Sequence, residues 1–173
     1  MGAMNPHSVG GMANKRSTGT SATAVLERAG VTHVLHTYPH DPRASSFGLE
    51  AAAALGVAAE RVYKTLLVDT GNGLAVGVVP VTCSLDVKAL AAALGVKKAV
   101  MADPVAAERS SGMVVGGISP LGQKRALPTV LDVTMLDHDT VLVSGGRRGL
   151  DIELAPADLA RLADASFGPI SRA

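Results

Sequence analysis

The chain has 173 residues, with 16 Lys and Arg against 15 Asp and Glu, a formal net charge of +1, and 47% hydrophobic and 18% charged residues. That length suits one domain with a real core, and the composition excludes a disordered chain. The near-neutral charge excludes a surface that grips nucleic acid everywhere, and a single cysteine, Cys83, excludes an internal disulfide framework and fits a reducing compartment.

Residues 1 to about 19 are polar and rich in Gly and Ser, with Met4 and Met12 as alternative starts. They read as a disordered leader or tag remnant, and 20–173 as a single domain. SATAVLERAG has helical spacing at Val25 and Leu26 and a stop at Gly30. VTHVLHTY is a β-rich run, PHDPRASS a loop, and FGLEAAAALG a second helix closed by Gly56. VYKTLLVD, a TGNG turn and LAVGVVPV form a hairpin, with Asn72-Gly73 suited to positive φ. SLDVKALAAALG is the clearest helix: Val87, Leu90, Ala91 and Leu94 make its apolar stripe, and Ser84 or Asp86 caps it. KKAVM is a short strand, and DPVAAERS a helix with Asp103 as N-cap and Pro104 at N1. GMVVGGISPLGQ is a brief strand and a Gly-rich loop. LPTVLDVTML, TVLVSGG and RRGLDIEL supply strands, and APADLARLADA a closing helix. Strands and helices do not alternate as βαβ units, so the expected class is mixed α/β (α+β), a sheet or barrel with helices around it.

No apolar run reaches the roughly 18 residues of a membrane-spanning helix, so cytoplasmic is the default. There is no Walker phosphate loop, no G-x-G-x-x-G after a strand and no G-x-S-x-G elbow. The five histidines, His7, His33, His36, His40 and His138, lack zinc-site spacing. Satisfied or solvated imidazoles are expected instead, and no metal or cofactor.

Two features remain. In VYKTLLV, Lys64 shares a strand face with Val62, Leu66 and Val68, because side chains alternate with period two. Burying an unpaired ammonium costs several kcal/mol, so Lys64 is either a snorkelling edge residue or a charge held in a pocket. VGGISPLGQ and VSGGRRGLDIE place paired glycines beside Ser119, Ser144 and Asp151. They are either tight turns or loops whose backbone approaches a ligand.

The segments HTYPHD, FG, VYKTLLV, MADPVAAERSSG, VGGISPLGQK, LPTVLD and VSGGRRGLDIEL occur in this order at compatible spacing. Together, over about residues 21–170, they closely resemble the YbaK/EbsC family and within it the Cys-tRNA(Pro) deacylases, which are similar to the editing domain of bacterial prolyl-tRNA synthetases. The resemblance implies a largely antiparallel, barrel-like sheet and a trans-editing hydrolase that cleaves cysteine from tRNA(Pro). Such an enzyme is needed because a small pocket separates cysteine from proline poorly. It further implies that Lys64, Gly116, Ser144 and Asp151 act in catalysis, and that Tyr38, Phe47, Thr65, Gly117 and Ile118 bind substrate. The implied mechanism uses the substrate's own thiol as nucleophile, formally a lyase step, so that Cys83 is a small hydrophobe without a catalytic role. The implied partners are the cysteine-bearing acceptor end of tRNA(Pro) and prolyl-tRNA synthetase. Lys97, Lys98, Lys124, Arg125, Arg147 and Arg148 are the local cations available for RNA. An editor of another mischarged tRNA such as Ala-tRNA(Pro), or a non-catalytic module for a nucleotide or tRNA end, fits the same residues.

Overall fold

The structure is a computed structural model that describes residues 18–173; the leader expected over 1–19 lies, except for its last two residues, outside them. Among the described residues are five α-helices: α1 (Ser21–Ala29), α2 (Phe47–Leu55), α3 (Val87–Leu94), α4 (Pro104–Ser111) and α5 (Pro156–Ala163). Local chemistry sets their ends. Thr20, Ser46, Asp86 and Asp103 each accept a backbone N–H as N-cap, satisfying one of the first-turn donors. Pro104 and Pro156 open α4 and α5 with pre-set φ. Gly30, Gly56, Gly95 and Gly112 close the first four helices. Of the two caps expected for α3, Asp86 serves; Ser84 belongs to a strand instead.

Ten strands complete the fold: β1 (His33–Thr37), β2 (Tyr63–Asp69), β3 (Leu74–Pro80), β4 (Ser84–Leu85), β5 (Val100–Met101), β6 (Thr129–Asp132), β7 (Val141–Ser144), β8 (Leu150–Leu154), β9 (Ala165–Gly168) and β10 (Ser171–Arg172). A five-stranded sheet has the order β5-β2-β3-β6-β9, a three-stranded one β1-β8-β7, and β10 pairs β4. All pairs are antiparallel except β3 with β6 and β6 with β9. The sheets do not close into a barrel; one parallel bridge, Val62 to Leu142, links the two larger ones.

Alternation divides the core. Tyr63, Leu67, Val76, Val78 and Leu131 pack with Leu26, Val143, Ile152, Leu154 and Leu159. Val68, Ala75, Val79 and Val130 pack with Leu90 and Ala91 of α3 and with Ile170. Two sequence expectations fail here. The β2–β3 turn takes positive φ at Gly71 and Gly73 and not at Asn72. GMVV forms no strand, because its backbone bonds locally: Gly117 N–H donates to the Val114 carbonyl at 2.8 Å and Val115 N–H to Glu108 Oε2 at 3.3 Å. β9 and β10 carry too few apolar letters to be read alone. Buried Asp132 holds their end of the chain, accepting N–H bonds from Ile170 at 2.9 Å and Ser171 at 3.0 Å.

Candidate active site

The outer edge of β2 is only half covered. β5 pairs with Val68 and Asp69 alone, and β7 touches it at Val62. Between these two brackets, the stretch Tyr63–Leu67 floors a cavity of about 350 Å³, a size that suits a small ligand or the end of a larger one. Ala102 N–H donates to the Leu67 carbonyl at this edge, so strand alternation aims the backbone groups of Thr65 the same way. The loop 113–118, α2, β7 and β8 make the walls.

Of the nine residues singled out from sequence, eight line this one cavity: Tyr38, Phe47, Lys64, Thr65, Gly116, Ile118, Ser144 and Asp151. Gly117 stands behind the wall. A Cβ there would come within 2.8 Å of the Arg147 and Arg148 backbone, so its hydrogen is needed for loop packing. Tyr63 also lines the cavity. Three of the chain's four Phe and Tyr residues therefore meet in one place.

The polar groups of the cavity are short of partners. Lys64, half-buried, makes no hydrogen bond or ion pair among the described residues, and the Thr65 hydroxyl is buried and unpartnered. Ser144 accepts a 3.3 Å bond from Gly146 N–H. Its cross-strand partner is Asp151, yet no hydrogen bond joins the two. Asp151 is 5% exposed, and its burial pushes the carboxyl up to about 7, against a weaker downward pull from His36. Desolvation, reinforced by Asp151, likewise raises the Tyr38 phenol to about 12. Lys64 and Asp151 are the charged side chains of the lining. No hydroxyl there is hydrogen-bonded to an imidazole or a carboxylate, so the nucleophile–base geometry of covalent catalysis is not built. Cys83 lies outside the lining. Among the described residues, no three His, Cys, Asp or Glu side chains gather as a metal site would require.

The glycine loop is held by a device that sequence reading missed. The Arg148 guanidinium lies 4.8 Å above the Phe47 ring, a cation–π arrangement, and donates two bonds, 2.9 and 2.7 Å, to the Val115 carbonyl. The same Phe47 ring lies beneath Gly116, which has φ +87°, and a Cβ there would come within 2.7 Å of the ring. The loop, α2 and the β7–β8 turn thus meet on one ring. From sequence Arg148 is only one of the local cations available for RNA; nothing local marks it as an anchor, because its partners are 101 and 33 positions away in the chain. The N–H groups of Gly116 and Ile118 make no hydrogen bond among the described residues, which leaves two donors at the cavity wall.

Residues 41–162 match the family model of the aminoacyl-tRNA editing domain. The chain belongs to that family, and its class is aminoacyl-tRNA deacylase, with tRNA as substrate. Within the family it is 39% identical over 122 residues, 69% of this chain and 74% of the relative, to the Enterococcus faecalis protein named "Putative Cys-tRNA(Pro)/Cys-tRNA(Cys) deacylase EbsC". A solved hypothetical protein, APE2540, is similar with a TM-score of 0.79 and 26% identity over 88% of this chain and 100% of its own. The structure described as "a putative trans-editing enzyme for prolyl tRNA synthetase" shares the fold, with a TM-score of 0.76 and 24% identity over 90% of this chain and 99% of its own. No helix among the described residues is long and apolar enough to cross a membrane.

Proposed function

We propose that this chain deacylates Cys-tRNA(Pro) with the substrate's own thiol as nucleophile. The observation that carries the reading is a cavity with unpaired charges and free backbone donors but no protein nucleophile joined to a base. Chemistry of that kind is done by orientation and electrostatic stabilisation. The cysteinyl sulfur attacks its own carbonyl carbon; a C–S bond forms, the ester C–O bond to the ribose breaks, and the thiol proton ends on the ribose oxygen. Water then opens the thiolactone to free cysteine. The Gly116 and Ile118 N–H groups face the developing oxyanion. Lys64 offers its ammonium to the ester or the adjoining phosphate. Asp151 gives the substrate α-ammonium a counter-charge, and Tyr38, Phe47 and Tyr63 supply faces for the terminal adenine. Thr65 and Ser144 add hydroxyl contacts. The name of the Enterococcus faecalis relative supports cysteine as the amino acid and includes tRNA(Pro) beside tRNA(Cys). Prolyl-tRNA synthetase is the partner from which the mischarged product would come.

Hydrolysis of Cys-tRNA(Pro) beside Ala-tRNA(Pro), each with wild type and Lys64→Ala, tests the reading. Loss of the cysteine ester alone, abolished in Lys64→Ala, is expected. Cleavage of the alanine ester would overturn the thiol mechanism, since alanine has no sulfur, and would make the chain an editor of another mischarged pair. Binding of tRNA without turnover would make it a capture module.

A further inference from the structure

We propose that a second cleft, on the far side of α4 from the candidate active site, binds the ribose-phosphate backbone of the tRNA acceptor arm. The inference rests on the editing reading for the identity of the nucleic acid. Helix α4 divides the two sites: Pro104 and Ala107 line the first cavity, while Ala106, Arg109 and Ser110 line the second, an open cleft of about 860 Å³. Its remaining walls are the β2–β3 turn from Thr70 to Ala75, the end of α3, and residues 124–128.

The charge of this cleft is one-sided. Arg109, Lys124 and Arg125 line it and no carboxylate does, although the whole chain carries almost as many acids as bases. None of the three cations has an ion pair or a side-chain hydrogen bond among the described residues. Two of them are nonetheless held in place, since Lys124 N–H donates to the Ser111 carbonyl at 2.9 Å and Arg125 N–H to the Ser110 carbonyl at 3.2 Å. These bonds also occupy carbonyls at the C-terminal end of α4, where uncapped acceptors would repel an anion. Ser110, in the wall, is 8% exposed and its hydroxyl, sealed from solvent, has no partner among the described residues. Three exposed, unpaired cations with no carboxylate beside them have the chemistry of a phosphate site.

Position gives the ligand class. A helix with its side chains is about 10–12 Å across, and a stacked strand advances about 3.4 Å per nucleotide. A tRNA whose terminal adenosine fills the first cavity reaches the cleft about three to four nucleotides earlier, at the start of the acceptor stem. The cleft then supplies the local grip that the overall charge does not.

The test is the salt dependence of binding of deacylated tRNA(Pro) between about 50 and 200 mM salt, with ester hydrolysis measured on the same preparations. The triple variant Arg109→Ala, Lys124→Ala, Arg125→Ala is expected to lower the slope of log K against log salt by about two to three. Arg28→Ala, an exposed cation of α1, is the reference and lowers it by less than one. Should the triple variant fail to show a cooperative melt, Lys124→Gln alone is expected to lower the slope by about one. An undiminished slope in folded variants overturns the proposal. Inorganic phosphate binding in the cleft together with an undiminished tRNA slope would assign it to a free anion, and overturns it as well. Hydrolysis with an undiminished slope would leave the editing reading standing without the cleft. A lowered slope in a protein that cleaves neither ester would leave the cleft without the editing reading.

Discussion

Two carboxyl groups on one face of β8 meet opposite fates. Asp151 and Glu153 are two residues apart, while Leu150, Ile152 and Leu154 point to the core between and beside them. Glu153 accepts bonds from the Thr140 hydroxyl at 2.5 Å, from His36 Nε2 at 2.8 Å and from the Arg61 guanidinium at 2.8 Å. Those partners, Thr140 foremost, pull its carboxyl down to about 2. Asp151 accepts no side-chain hydrogen bond among the described residues, and burial lifts it to about 7 against only a weaker pull from His36. One end of the strand is therefore finished as structure. The other is left with an unmet electrostatic demand, which is what a binding site looks like before its ligand arrives. Lys64 and the Thr65 hydroxyl, across the cavity, repeat the pattern.

That comparison can be broken by experiment, most severely at Lys64. Lys64→Ala should lower kcat/KM for the aminoacyl ester by about 10²-fold or more while the melting temperature holds or rises, because no native partner is lost. A large drop in stability would place Lys64 with the finished end of the strand. Asp151→Asn should lower kcat/KM by about 10–100-fold, the worth of a charged hydrogen bond. The same variant should be more stable than wild type by on the order of 2–4 kcal/mol above pH 7. The sign follows from the raised value: the folded state holds its proton more tightly, so wild-type stability falls as pH rises from about 4 to about 7, and the Asn variant lacks that fall. Urea melts across this range decide it.

Gly116→Ala sharpens the role of the wall. The left-handed φ costs about 1–3 kcal/mol and the new methyl must displace Phe47, so activity should fall with stability; adding Phe47→Leu should recover part of both. Glu153→Gln should cost about 1 kcal/mol at pH 7 without a matching loss of activity. Because the Glu153 carboxyl is depressed, the difference from wild type is full above about pH 4.5 and vanishes as pH falls toward 2. The smallest effect is expected for Cys83→Ala, which should retain activity; loss of turnover in a well-folded Cys83→Ala protein would bring a protein thiol into the mechanism.

How much of this was legible in the letters differs from element to element. The helices were readable because caps and stops are local: Asp86, Asp103 and Pro104 sit within a turn of what they cap, and Gly95 and Gly112 close what they follow. β2 and β3 were readable from alternation and a glycine turn. Lys64 stood out because a charge in an aliphatic strand breaks a pattern, and Gly116 because paired glycines do. Arg148, Lys124 and Arg125 stood out only as local cations, and nothing marked the Arg148 anchor, the Asp132 clasp on the C-terminal strands or the gathering of Arg109 with Lys124 and Arg125 in one cleft. An arginine over an aromatic ring looks, in sequence, like any solvated arginine.

The sequence by itself determined the helices, most of the strands and the kind of residue each candidate position carries, since these follow from backbone sterics, period and burial over a few neighbours. Tertiary structure alone decided that β5 and β7 leave the middle of β2 uncovered, that Tyr38, Phe47, Lys64, Gly116 and Asp151 face one cavity, and that burial raises the Asp151 carboxyl while hydrogen bonds lower that of Glu153. Those outcomes depend on which distant groups are brought within hydrogen-bonding reach and on how much water is excluded, and neither quantity is carried by any local stretch of chain.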